Sequence, residues 1–270
     1  MRLDLLLVEL GLARSRNHAV QLIEAGRVIV AGIAARKASQ NIPENTEIHI
    51  IHAVDYVSRA GHKLAGALEK FSELEVKGKL CLDVGASTGG FTDVLLRNGA
   101  SQVIALDVGH DQIVPELLEN SNVINIEGFN ARELSTESLQ AAVGSAIDLA
   151  KSEIELVVSD LSFISLTLVL PAMLSVAPQA DFVVLIKPQF EIGKQSLHAS
   201  GIVNDSKLRN QAIRQVVDCA MKLGMGIRGL EKSQLLGTHG NIEYLLWISP
   251  LEPRNGQEWS DRIDSLAKAK

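Results

Sequence analysis

At 270 residues, with 46% hydrophobic and 21% charged side chains, the chain can hold one large domain and a small one, and it is too apolar to be disordered throughout. Its net charge of −6 excludes wholesale nonspecific attraction to nucleic acid. Two cysteines, Cys81 and Cys219, and no cysteine–histidine cluster exclude a disulfide framework and a zinc site, so no metal and a reducing compartment are expected.

The first 50 residues read as two short helices followed by small strands. Asp4 and Glu9 break the apolar run Leu5–Val8, so no export signal is expected. Leu3 to Leu10 forms a first helix stopped by Gly11. Ser15 is placed to cap a second one through Glu24, with Ala19, Val20, Leu22 and Ile23 as its apolar stripe and Gly26 as its stop. Val28–Val30 and Glu47–Ile51 read as strands, with a turn at Ala31-Gly32 and a loop over Asn41–Asn45. Within residues 1–40, six basic residues face three acids, a balance of +3 on a chain whose total is −6. A polyanion is therefore expected at this end, with Arg2, Arg14, Arg16, Arg27 and Lys37 as phosphate contacts. The expected organisation is a small α+β domain over 1–52, a linker over 53–60, a large domain over 61–250 and a tail over 251–270.

Helical character returns from Gly61 to Phe71. Apolar runs then alternate with helical stretches: Leu80–Val84, Gln102–Val108, Val123–Ile126, Ile154–Ser159 and Phe182–Ile186. Strands this continuously hydrophobic are covered on both faces, which predicts an α/β, Rossmann-like parallel sheet with right-handed crossovers. The uncharged stretch Leu161–Ala180 has the length of a membrane span, but Pro171, Pro178 and the flanking Asp160 and Asp181 favour a buried helix between two strands. A helix over Ser206–Leu223 precedes a final pair, Ile227–Leu236 and Ile242–Ile248, whose short connection favours antiparallel pairing.

Leu80–Val84 runs into Gly85-Ala86-Ser87-Thr88-Gly89-Gly90, and a helix follows from Phe91. Glycines in a strand–turn–helix let a ligand approach the backbone, and Asp107, 22 residues after Gly85, stands where an acid holds ribose hydroxyls. A dinucleotide prefers glycine where Ser87 stands, and Asp83 beside the loop would repel a pyrophosphate. The same carboxylate suits the amino group of a methionine, so S-adenosylmethionine is favoured over NAD, and over a plain tight turn.

Asp160 and Lys187 close two parallel strands, at the carboxyl edge where open α/β sheets bind ligands. Glu243 opens the last strand and reaches the same edge if that strand is antiparallel. Lys63, on the helix before the first strand, cannot be placed by periodicity.

These residues lie in stretches that resemble the hemolysin A-like (TlyA-type) family of rRNA 2′-O-methyltransferases, with an FtsJ-like catalytic domain. The stretches are Val57–Leu64, Leu82–Asp93, Ser159–Ser165, Ile186–Glu191 and Gly240–Glu243. The amino-terminal part resembles the RNA-binding fold of ribosomal protein S-four. The resemblance implies a class I methyltransferase with a seven-stranded, mostly parallel sheet whose last strand is antiparallel. It implies a catalytic tetrad of Lys63, Asp160, Lys187 and Glu243, with Lys187 taking the proton of a ribose 2′-hydroxyl. It also implies S-adenosylmethionine on Asp83, Gly85, Ala86, Ser87, Gly89 and Asp160, with its ribose on Asp107 and its adenine near Asn130. A lysine base needs about 4 kcal/mol of destabilisation of its charged form at pH 7. A second ammonium about 4 Å away supplies about that much at an effective dielectric of 20, a part expected of Lys63. Aromatics are few, 4%, so the amino-terminal domain is expected to read RNA shape rather than stack bases. The partners implied are ribosomal RNA at cytidine riboses and the ribosome or its subunits, in the cytoplasm. A membrane-active cytolysin and a catalytically silent rRNA-binding assembly factor are the rival readings.

Overall fold

In the computed structural model the chain opens with α1 (Leu3–Glu9) and α2 (Arg16–Glu24). The Ser15 hydroxyl accepts the His18 backbone N–H, and Gly26, at φ +68°, supplies the left-handed stop after α2. β1 (Val28–Val30) pairs antiparallel with both β2 (Ile33–Ala34) and β3 (Ile48–Ile50). β2 is absent from the sequence reading because two residues are too few to show alternation. Leu3, Leu7, Ala19, Leu22, Ile23 and Val28 form the core of this unit, which spans Met1–Asp55. The structure describes all residues except 25, 32, 44–45, 51–55, 194–200, 238–239 and 270. Gly32, Glu44, Asn45 and Ile51 of the expected turn, loop and strand thus lie outside the described residues, as does part of the expected linker.

The second unit spans Tyr56–Lys270. Its helix α3 (Arg59–Lys70) starts inside the expected linker, two residues before Gly61, with Ser58 at the position before its first turn. There follow β4 (Leu80–Val84), α4 (Gly90–Arg97), β5 (Gln102–Leu106), α5 (Pro115–Leu118), β6 (Val123–Ile126) and α6 (Thr136–Val143). The rest is β7 (Leu156–Ser159), α7 (Leu170–Val176), β8 (Asp181–Ile186), α8 (Pro188–Glu191), α9 (Ser206–Lys222), β9 (Gly226–Lys232), β10 (Tyr244–Ser249) and α10 (Ser260–Lys268).

The seven strands lie in the order β6-β5-β4-β7-β8-β10-β9, parallel except for β10, which runs antiparallel to both neighbours. Period-two alternation splits each strand between two cores. Leu82, Val84, Ile104, Val157, Phe182 and Val184 enter one, and Cys81, Val103, Leu156, Val158, Val183 and Leu245 the other. Burial on both faces explains the unbroken apolar runs. Asp83 shares the face of Cys81 and lies beneath α4.

Among the differences from expectation, three have clear physical reasons. β9 ends at Lys232, not Leu236, because Ser233 turns the chain and its hydroxyl donates to the Leu235 carbonyl. Only Leu170–Val176 of the uncharged stretch is α-helix, and no helix among the described residues is long and apolar enough to cross a membrane. Residues 251–270, expected as a tail, carry α10, whose Ile263, Leu266 and Ala267 join the main core. The buried guanidinium of Arg209 pins that helix by donating through Nε and Nη2 to the Ala267 carbonyl, at 3.0 and 2.7 Å.

Candidate active site

The turn after β4 is built for close approach. Gly85 has φ +89°, and a Cβ there would come within 3.1 Å of Leu161 Cδ2 and 3.2 Å of the Asp160 carbonyl oxygen. Both the backbone angle and the space demand glycine. Ser87 N–H donates to Asp107 Oδ2 at 2.8 Å, and Gly109 N–H to Oδ1 at 2.7 Å. Asp107 thus ties the loop to the end of β5. Each oxygen keeps a lone pair for a ribose hydroxyl.

Asp83 is fully buried and accepts the Thr92 hydroxyl on Oδ2 at 2.7 Å, while its Oδ1 has no hydrogen-bond partner. Burial pushes its carboxyl up to about 7 against the Thr92 hydrogen bond, and the nearby charges of Asp160 and Asp107 add to the rise. A buried carboxylate oxygen lacking a donor fits a cationic ligand group and repels a phosphate. On this ground the residues present fit an S-adenosylmethionine amino group better than a dinucleotide.

Strand pairing then assembles the carboxyl edge. β10 pairs Tyr244 with Ile186, which sets Glu243 beside Lys187 across the antiparallel ladder. Lys187 Nζ lies 2.6 Å from Asp160 Oδ1 and donates to Ser162 Oγ at 2.8 Å. Lys63 Nζ, on α3, lies 2.5 Å from Glu243 Oε2. All four side chains are largely buried. Each lysine thus faces an acid, Lys63 the carboxylate of Glu243 and Lys187 that of Asp160.

An open cleft lies at this edge. Gly85, Ala86, Ser87 and Thr88 line one side, with Ser58, Ala60, Phe91, Asp160, Ser162 and Lys187 around them. Asp83, Gly89 and Asp107 are not on its wall, nor are Lys63 and Glu243. At Gly89, φ +92°, an added Cβ would strike Leu117, so this glycine serves packing behind the loop. Asn130 is exposed, and its amide caps a short turn by accepting Arg132 N–H and donating to Glu133 Oε1. Asn130 is not among the residues that line the cleft.

Ser58, Ser162 and Thr92 escaped the sequence reading, since a serine or threonine is common and only the fold brings these three to Asp83, Asp160 and Lys187. Ser58 Oγ is buried without a partner and lines the cleft. Phe163 carried a weak signal as an aromatic in a chain with few. It is 91% exposed, at φ +66°, with its ring 5.1 Å from that of Phe190.

In the amino-terminal unit, Arg2 forks onto buried Asp4 through Nε and Nη2, each at 3.0 Å, and Arg16 Nη2 reaches Oδ2 at 3.1 Å. The Arg2 hydrogen bonds, opposed by burial and helped by Arg16, hold Asp4 at about 2. Arg14 and Lys37 are exposed and Arg27 is half-buried. Two of the five candidate phosphate contacts are therefore fixed in place by one acid.

Residues 56–249 match the model for FtsJ-like methyltransferases, and residues 1–48 that for the S4 domain. The chain is 44% identical over 250 residues to the 16S/23S rRNA (cytidine-2′-O)-methyltransferase TlyA of Mycobacterium tuberculosis, covering 92% of this chain and 89% of that protein. It is 40% identical over 251 residues to hemolysin A of Brachyspira hyodysenteriae, covering 91% and 98%. A solved structure described as a hemolysin from Streptococcus thermophilus superposes with a TM-score of 0.72 at 34% identity, covering 99% of this chain and 94% of that one.

Proposed function

Because the chain belongs to the FtsJ-like methyltransferase family and carries an S4 domain at its amino terminus, we propose that it methylates the 2′-hydroxyl of a cytidine ribose in ribosomal RNA. The observation that carries this reading is the Lys187–Asp160 pair on the wall of the cleft that the Gly85 loop frames. The cofactor is S-adenosylmethionine, which supplies an electrophilic methyl on a sulfonium centre. In this reading Asp83 faces the cofactor's amino group, and Asp107 accepts its ribose hydroxyls on the remaining lone pairs. Lys187, once neutral, takes the 2′-hydroxyl proton at Nζ as the oxygen attacks in line. Asp160 orients that lysine, and Lys63 with Glu243 borders the ribose. Phe163, exposed and next in the chain to the cleft residue Ser162, offers a base-stacking surface. Cytidine and ribosomal RNA are the target named for the relative from Mycobacterium tuberculosis; they suit a chain whose basic end holds arginines against Asp4. The ribosome or its subunits, in the cytoplasm, are the corresponding partner. A membrane-active reading finds no spanning helix among the described residues.

The test uses labelled S-adenosylmethionine and undermethylated ribosomal subunits. Label is expected in a cytidine whose 3′-phosphodiester resists alkali, because methylation removes the hydroxyl that attacks the phosphate. Label confined to bases, in alkali-labile nucleotides, would refute the assignment.

For RNA binding, Arg14→Ala with Arg16→Ala is expected to weaken binding of the same RNA. The slope of log affinity against log salt should fall by about one for each phosphate that is no longer neutralised. Arg2 still satisfies Asp4 in that variant, so its thermal midpoint tests whether the unit stays folded. Unchanged affinity and slope would move RNA recognition away from α2.

A further inference from the structure

The chain leaves β7 through Asp160, Leu161, Ser162 and Phe163. Phe163 adopts φ +66°, a left-handed conformation that is uncommon for a bulky L-residue. Its ring is 91% exposed, so burial of the side chain does not offset the strain. The loop around it sets Ser162 Oγ 2.8 Å from Lys187 Nζ, while Asp160 Oδ1 lies 2.6 Å from the same nitrogen. A primary ammonium has three N–H directions. One N–H meets the Ser162 hydroxyl, whereas Asp160 Oδ1, though 2.6 Å away, accepts no hydrogen bond and holds the ammonium by charge alone. Lys187, Asp160 and Ser162 all line the cleft.

We propose that Ser162 is a positioning residue for methyl transfer: as the hydrogen-bond acceptor of Lys187 Nζ it fixes rotation about the Cε–Nζ bond, so that the lone pair of the neutral lysine opens toward the ribose. The inference rests on Lys187 being the base. On losing one proton the amine still donates to Ser162, and the 2′-hydroxyl proton is received at the position that the lone pair holds open. Without Ser162 the amine rotates about its Cε–Nζ bond, and the lone pair is shared among orientations that do not meet the hydroxyl. A general base contributes about 10² to 10⁴ in rate only while it is aligned.

The experiment measures steady-state methyl transfer to undermethylated ribosomal subunits by the full-length protein. Ser162→Ala should lower kcat by about tenfold or more while KM for S-adenosylmethionine and for the subunits stays within about twofold. Ser162→Thr, which keeps the hydroxyl at an exposed site, should retain kcat within about threefold. A merely structural serine would not divide kcat from KM in this way, nor be rescued by threonine. If Ser162→Ala keeps the parent kcat while Lys187→Ala is inactive, the positioning role is wrong and the base assignment stands. Threonine as slow as alanine would also overturn it. If Lys187→Ala itself keeps its rate, the base assignment fails and this inference fails with it.

Discussion

Lys187→Ala is expected to lower kcat for methyl transfer by about a thousandfold or more, with S-adenosylmethionine affinity within a few-fold of the parent protein. With Lys187 as the proposed general base, its removal forfeits both the proton acceptor and its alignment with the hydroxyl. The groups that fit the cofactor, Asp83, Asp107 and the Gly85 loop, are left untouched. Asp160 loses its cation in this variant but keeps access to solvent through the cleft. Lys187→Met, which preserves the buried stem, separates lost chemistry from lost packing. Calorimetry gives the cofactor affinity, and single-turnover transfer gives the chemical step. A methionine variant that transfers methyl at the parent rate would exclude Lys187 as the base.

The second large effect is a pH dependence centred on Asp83. Its carboxyl is pushed up to about 7, first by burial and then by the charges of Asp160 and Asp107. The folded protein therefore holds this proton more tightly than the unfolded chain, whose carboxyl ionises at about 3.9. Below about pH 4 both states are protonated and the group costs nothing. As pH climbs toward 7 the unfolded state releases its proton first, and a cost on the order of 4 kcal/mol builds, complete above about pH 7. A ligand ammonium at Oδ1 favours the ionised form and offsets that cost. Affinity for S-adenosylmethionine is thus expected to rise with pH through about 7, then to fall above about 8 as an α-amino group loses its charge.

Asp83→Asn keeps the size of the side chain and an oxygen for Thr92, but removes the ionisation. It is expected to raise the thermal midpoint of the free protein at pH 8, and to weaken cofactor binding and flatten its rise between about pH 5.5 and 7.5. Calorimetric titration across that range measures both proteins. If the asparagine variant retains the parent's rising affinity, the ligand ammonium does not sit on Asp83.

Particular residues show how far the sequence could be read. Leu80–Val84 and Phe182–Ile186 are strands because unbroken apolar runs between turn residues fit a sheet covered on both faces. Asp160 and Lys187 lie at the carboxyl edge because each ends such a run. Ile263, Leu266 and Ala267 have helical spacing, but one short amphipathic turn among polar neighbours resembles a solvated tail until Arg209 and the sheet are seen beneath it. Asn130 is placed near the adenine by the resemblance alone, and its amide makes hydrogen bonds within the next turn that no sequence pattern announces. Ser162 showed no periodic or compositional signal.

The sequence by itself determined the order of strand, glycine turn and helix, the charges at the strand ends and the basic balance of the first 40 residues. These follow from local rules: alternation, turn chemistry and charge along the chain. Only the tertiary structure decided which lysine meets which acid. Lys63 and Glu243 are 180 residues apart, and they meet because β10 runs antiparallel between β8 and β9 and brings its start to the carboxyl edge, where α3 reaches it. The same packing left one oxygen of Asp83 without a donor and gave both oxygens of Asp107 to backbone amides. Hydrogen-bond supply at a buried carboxylate depends on every chain segment folded against it, and none of those neighbours is fixed by the carboxylate's own sequence context.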